Sequence, residues 1–350
     1  MQHRKIFQIL IVNCCFLAIL LSGCSFDGCP RPRLGSYASD TPGTNFIDGR
    51  HIGKHNYANC ISEGNGIVYT CRGGHIDITH LRIAADYTKY LTDITKEHLC
   101  DNKSDFSYKL NVEPSVYYAK LEYPADWDDL NEQEKNHIID ELSLELGQYL
   151  TFKMTTWHEI LTWYGYKCMW ILPETPSAFS WEDIYSNLLG TRLAAQAIAD
   201  TAHNYDEAMT IAINNELEFL GLQSANTAKK AAAKMNNKWY KGLVLVDMKQ
   251  RNMDTGLDDG YVSPMLTGDM PQCPDVQPQP YPAPTLEKFT AYGFTIKVEI
   301  EPREFEKDKI LKLVYPEGSG KRIDIQNHLP IILDAVKKEA IDKGYNTMPY

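Results

Sequence analysis

No C-x-x-C pair occurs in the 350 residues, no second histidine completes the single H-E dipeptide, and no apolar run reaches the roughly 20 residues of a membrane-spanning helix. The first absence excludes a zinc ribbon or a thioredoxin-type redox motif. The second excludes an H-E-x-x-H metalloprotease, because Thr162 stands one turn after His158 and Glu159, where the second zinc ligand belongs. Positive charge is scarce as well: 35 Lys and Arg against 46 Asp and Glu leave a net charge of −11. Such a chain repels phosphate backbones and anionic lipid surfaces, which argues against nucleic acid as a partner and against electrostatic membrane attachment. Neither an internal repeat nor a coiled-coil heptad is present.

The amino terminus supplies another route to a membrane. Basic MQHRK leads into Ile6–Leu21, apolar except for Gln8 and Asn13, and then into Leu21-Ser22-Gly23-Cys24. This order reads as a signal peptide over 1–23 and resembles the lipobox of bacterial lipoproteins, in which cleavage leaves the cysteine as the first residue, carrying acyl chains such as palmitate. Cys24 is the expected lipidation site. Ser25, rather than Asp, points to the outer membrane, facing the periplasm. Of nine cysteines, Cys14 and Cys15 would leave with the signal peptide, and Cys29, Cys60, Cys71, Cys100, Cys168 and Cys273 would remain. That even set suits disulfides in an oxidising compartment.

Periodicity divides the rest. Residues 24–66, rich in Gly, Pro, Asn and Ser, read as a tether passing into ordered loop. Residues 67–262 read as a mainly helical domain. Ile67–Thr70 is a short strand, and a helix begins near Gly73-Gly74 with Ile76, His80, Ile83 and Tyr87 on one face. One or two strands fall between Asp101 and Asp126. The clearest helix runs from Asn131 to Tyr164, and another starts at Ser180-Trp181-Glu182-Asp183 with Ser180 as its cap. Further helices are expected over 205–222 and 226–239. Seven prolines between Pro264 and Pro284 mark a linker, 263–284. A small α+β appendage, 285–350, follows, with a strand over 289–301, a possible partner strand over 309–315 and a helix over 325–343. The expected class is α+β: a predominantly helical domain with a few short strands and that appendage.

Residues able to carry chemistry gather in Trp157–Gly190, which holds Trp157, Trp163, Trp170 and Trp181 beside His158, Glu159, Glu182 and Asp183. Carboxylates beside aromatic platforms are the furniture of glycan sites, although aromatics at helical spacing also make ordinary cores, and acids on a first helical turn answer to the helix dipole. Asp77 and His80 stand at the i, i+3 spacing of helical dimetal sites, with His75 near, and Asp200 and His203 repeat the spacing. A divalent metal such as zinc is the cofactor this pattern would take; a satisfied core histidine is the competing reading. Glu145 and Glu159 are about 21 Å apart along one helix and cannot share a metal. Cys71 beside His75 and His80 reads either as a thiol nucleophile or as half of a disulfide, with Cys60 a candidate partner. Asp247, Asp254, Asp258 and Asp259 lack EF-hand spacing and read as a polar turn.

The blocks YTCRGGHIDITHLRIAADYT, TTWHEILTWYGY, FSWEDIYSNLLG and DMKQRNMDTGLDDG, in this order behind a lipobox, resemble a family of bacterial envelope lipoproteins classified only as a domain of unknown function. The resemblance covers about Ile67 to Leu266 and implies no activity. Two classes of function stand. In one, the protein is an envelope hydrolase, with His158, Glu159, Glu182 and Asp183 as acid–base groups and His75, Asp77 and His80 as metal ligands. In the other, it is a non-catalytic lipoprotein that binds peptidoglycan or an envelope protein. The first is carried ahead, because three separated segments each set titratable groups among apolar residues.

Overall fold

Three helices touch closely because two glycines let them. In the computed structural model, which describes residues 28–168, 172–173, 175–242 and 246–347, helices α1 (Ile78–Cys100), α2 (Glu132–Trp163) and α3 (Asp183–Ala199) pack together. A Cβ on Gly147 of α2 would stand 2.1 Å from Thr92 Oγ1 on α1, and one on Gly190 of α3 would stand 2.1 Å from the Leu81 carbonyl oxygen. Only hydrogen fits at either crossing. Around them Leu81, Leu91, Leu142, Leu146, Trp157, Leu188 and Leu189 are fully buried. Helix α4 (Tyr205–Phe219) lies against α3, and α5 (Ala225–Lys234) against the hairpin described next. No helix among the described residues is long and apolar enough to cross a membrane.

That hairpin replaces the first turns of an expected helix. Strand β1 (Ile67–Thr70) pairs antiparallel with β2 (Gly74–Asp77), and α1 starts only at Ile78. Gly74 sits at φ +66, a left-handed conformation that turns the chain back on itself before helix can form. A capping box between Asn131 and Glu134 starts α2 where the sequence signals it. Helix α3 begins at Asp183, and Ser180 does not cap it by its hydroxyl; instead Asp183 Oδ2 accepts from the Ser180 amide at 2.8 Å.

The main sheet joins distant parts of the chain. Strands β3 (Asp105–Tyr108) and β4 (Val116–Glu122) continue, through antiparallel pairing of β4 with β5 (Thr295–Glu301), to β6 (Ile323–Asp324). The C-terminal α+β segment thus shares its sheet with the helical part. Its short helices are α6 (Glu287–Ala291), α7 (Lys307–Val314) and α8 (Leu329–Asp342). Residues 309–315, expected as a strand, belong mostly to α7. Ile310 is buried there, with partly buried Leu313 and Val314 three and four residues on, and so short an apolar run fits either period. The architecture is α+β.

The cysteines correct another expectation. Cys71 is bonded to Cys273, not to Cys60, which fastens the proline-rich stretch across the β1–β2 turn. Cys29, Cys60 and Cys100 are free. The expected signal peptide over 1–23, Cys24 and Trp170 lie outside the described residues.

Candidate functional site

Strand β2 ends at Asp77, which caps α1 by accepting from the Thr79 amide at 2.6 Å. One turn later His80 brings its ring over that cap. Its Nδ1 stands 3.6 Å from Asp77 Oδ2 and 3.0 Å from Asp183 Oδ1, at the start of α3. The close approach of α1 and α3 makes this meeting possible. The short contact with Asp183 is a buried ion pair in which the two atoms are each other's partner. Next to Asp183, Glu182 accepts the Ala38 amide at 2.6 Å through Oε1, while Oε2 is buried and unpartnered. From α2, Glu159 accepts the Phe179 amide at 2.7 Å.

Electrostatics binds these groups into one cluster. Burial opposes a charge on His80, but Asp183 and Asp77 outweigh it and hold the imidazole pKa well above the ordinary 6.5. Burial, and then Asp183, push the Glu159 carboxyl above the usual carboxylate range against the pull of His158 and His80. The same two causes raise Glu182 well above it, and burial raises Asp77 despite His80. The arrangement sets an imidazole whose charged form is favoured between two aspartates, with two glutamates whose burial favours the protonated form in electrostatic reach. Of these groups Glu159, pushed up to about 7 by burial and by Asp183, can give and take a proton near neutral pH.

Asp77, His80, Glu159, Glu182 and Asp183 therefore come together, drawn from both expected groups. His75 and His158 do not join them. His75 commits Nε2 to the Ala228 carbonyl at 3.0 Å, and burial lowers its pKa to about 4. His158, about 100° around α2 from Glu159, turns instead to Glu113, with Nδ1 2.5 Å from Oε1. Among the described residues no group of three or more His, Cys, Asp or Glu side chains is arranged to hold a metal ion. Asp200 and His203 form an exposed local pair at the end of α3. Asp254 is occupied by the Ser263 and Gly256 amides, and Asp247 by Lys249.

The tryptophans likewise disperse. Trp157 donates to Ser115 and Trp163 to Glu339, while Trp181 packs edge-on to Trp239 and stacks with Tyr240. They are core, not a sugar platform.

Three features escaped the sequence reading. Arg251, fully buried, donates to the Ala178 carbonyl beside the cluster. The segment around Gly35–Ala38 lies directly over His80, Asp77 and Glu182. Upstream, Arg33 pairs with Glu63 at 2.9 Å and with Asp86, and His55 Nε2 lies 3.0 Å from Asp86, all with side chains almost entirely buried. The D-M-K-Q-R-N block held the only signal for Arg251; the other two sit in a stretch without periodicity.

Fold and cluster together define an α+β protein with a buried carboxylate–imidazole centre. A family model described as "Protein of unknown function (DUF4056)" matches residues 38–250, more than half of the chain, and the protein belongs to that family. No curated protein and no solved structure matches the chain. The matched span includes all five cluster residues and leaves out Gly35 and Ser36.

Proposed function

We propose that the protein is a lipid-anchored hydrolase of the bacterial cell envelope, acting on an envelope substrate by general acid–base chemistry. His80, held by Asp77 and Asp183, is the proton carrier that faces substrate, and Glu159 is the second acid–base group. The observation that carries this reading is the meeting of His80 with Asp77, Asp183, Glu159 and Glu182 from three separate elements, with Glu182 Oε2 buried and without a hydrogen-bond partner. Leaving that one oxygen unpaired costs about 1–3 kcal/mol, and a cost of that kind is met most often where a site awaits a ligand. Four carboxyl groups around one imidazole disfavour anionic substrates, so glycan, peptide and neutral ester bonds fit better than phosphate esters. The lipobox ending in Cys24 supports membrane attachment by lipid, and a Cys71–Cys273 bond suits an oxidising periplasm.

A second reading, a non-catalytic lipoprotein with a structural cluster, draws on the amides of Ser36 and Ala38, which spend two of the carboxylates as fasteners. The two readings separate in one experiment. The full chain, purified in detergent, is incubated with sacculi and with envelope phospholipid vesicles, and soluble products are read by mass spectrometry. The hydrolase reading expects products that fall by about 10²–10⁴ in the folded variants His80→Gln and Glu159→Gln. Absence of products from every substrate, or equal yields from all three proteins, would sink it.

A further inference from the structure

The cluster is covered by a piece of its own chain. Gly35 is exposed to solvent, yet a Cβ there would stand 2.9 Å from His80 Nε2, so the backbone of residue 35 rests directly on the imidazole. The next amide, Ser36, donates to Asp77 Oδ2 at 2.8 Å, and two residues on the Ala38 amide donates to Glu182 Oε1 at 2.6 Å. Amides at i and i+2 thus engage two carboxylates of the site, as a bound extended peptide would. Both flanks are anchored elsewhere. Arg33 is tied to Glu63 and Asp86, while the Asp40 amide donates to Tyr240 Oη at 3.1 Å and Tyr240 donates back to Asp40 Oδ1 at 2.5 Å. Between these anchors Leu34 is 48% exposed and Gly35 is exposed, so the first part of the segment buries little, whereas Ala38 and Ser39 are fully buried and secure its far end. With the strap in place the His80 side chain is only 18% exposed.

We infer that residues 35–38 form an intramolecular strap that closes the acid–base cluster and lifts between its two anchors to admit substrate to His80. The inference rests on the hydrolase reading for its purpose, not for its geometry. The strap is held over the ring by two amide hydrogen bonds, by the absence of a side chain at residue 35 and, at its far end, by the packing of Tyr37 and buried Ala38 against the Trp181–Tyr240 cluster, so it lifts from its Gly35–Ser36 end. Breaking those few local contacts leaves the helical core intact, the condition for opening below the level of global unfolding.

Two measurements test it. In the unmodified full chain, hydrogen exchange read by mass spectrometry should find peptides covering 34–39 exchanging at least about tenfold faster than those of the α1–α3 core. Exchange of this segment only at the rate of the core would overturn the strap. In Gly35→Ala, whose methyl displaces the backbone from the ring, hydroxyl-radical labelling of His80 should rise about tenfold relative to exposed His51, with fully buried His75 unlabelled as a check on the fold. Labelling of His80 equal to that of the unmodified protein would also overturn it. Increased labelling with increased hydrolysis supports both strap and hydrolase. Increased labelling with no hydrolysis of any envelope substrate keeps the strap and removes the hydrolase reading. Should Gly35→Ala lose its fold, the exchange measurement on the unmodified chain decides alone.

Discussion

His75 and His80 stand on consecutive elements and titrate in opposite directions. His75 is buried as a neutral ring with its pKa lowered to about 4, whereas His80 is charged because Asp183 and Asp77 overcome its burial. For His75, the unfolded chain takes up a proton near 6.5 that the fold refuses until about 4. Stability present above that unfolded value is therefore lost as pH falls through the window, by about 3 kcal/mol for this residue. His80 contributes with the opposite sign: its stabilisation is complete below 6.5 and fades as pH rises through its elevated value. We predict that His75→Gln, which keeps a donor for the Ala228 carbonyl, removes the first slope. Urea unfolding at pH 7 and pH 4 measures it, and an unchanged pH dependence would contradict the assignment. The sequence named both histidines but put them in one metal set, since the i, i+3 spacing of Asp77 and His80 says nothing about the carbonyl that claims His75. Asp183 could not be linked to His80 at all without the crossing of α1 and α3.

At the scale of elements, what was legible followed from strong local signals. An apolar period interrupted only by Gly147 announced α2 almost to its ends, and the Asn131–Glu134 box is the local signal that fixes its start. Residues 309–315 were ambiguous because the four aliphatic side chains Ile310, Leu311, Leu313 and Val314 in a short run satisfy both periods. The strap was invisible for a different reason. It acts through backbone amides, which leave no residue signature, and the same Gly and Pro content that marks a tether accompanies it. The glycines that seat the helices give the sharpest test at this scale. Gly190→Ala drives a methyl into the Leu81 carbonyl, which belongs to a helix backbone and cannot rotate away. It should cost about 3 kcal/mol and separate Asp183 from His80. Gly147→Ala meets a threonine hydroxyl first and should cost less. Thermal unfolding of the pair gives the order, and a reversed order would show that α1 and α3 cross elsewhere.

Over the whole molecule, covalent and sheet connections reach back from the C-terminal third. Strand β5 extends the sheet begun by β3 and β4, and the Cys71–Cys273 bond closes a span of 202 residues. Cross-linking so long a loop restricts the unfolded chain, and loss of the bond should lower stability by about 2–5 kcal/mol. The paired variant Cys71→Ala, Cys273→Ala measures that change, and peptide mapping that found Cys71 joined to Cys60 would contradict the pairing. The even cysteine count hinted at disulfides but not at this partner, which depends on where the proline-rich stretch crosses the hairpin. The central claim, that a buried carboxyl with a raised pKa is retained at Glu159 for chemistry, makes stability and activity move in opposite directions. Its raised pKa means that ionisation costs the fold at alkaline pH, so Glu159→Gln should gain on the order of 1–3 kcal/mol at pH 8. The most direct measurement sets urea unfolding at pH 8 beside product release from envelope substrates for the unmodified chain and Glu159→Gln. The account predicts a more stable variant that releases almost nothing; a variant that is less stable and equally active, or a pair that both release nothing, contradicts it.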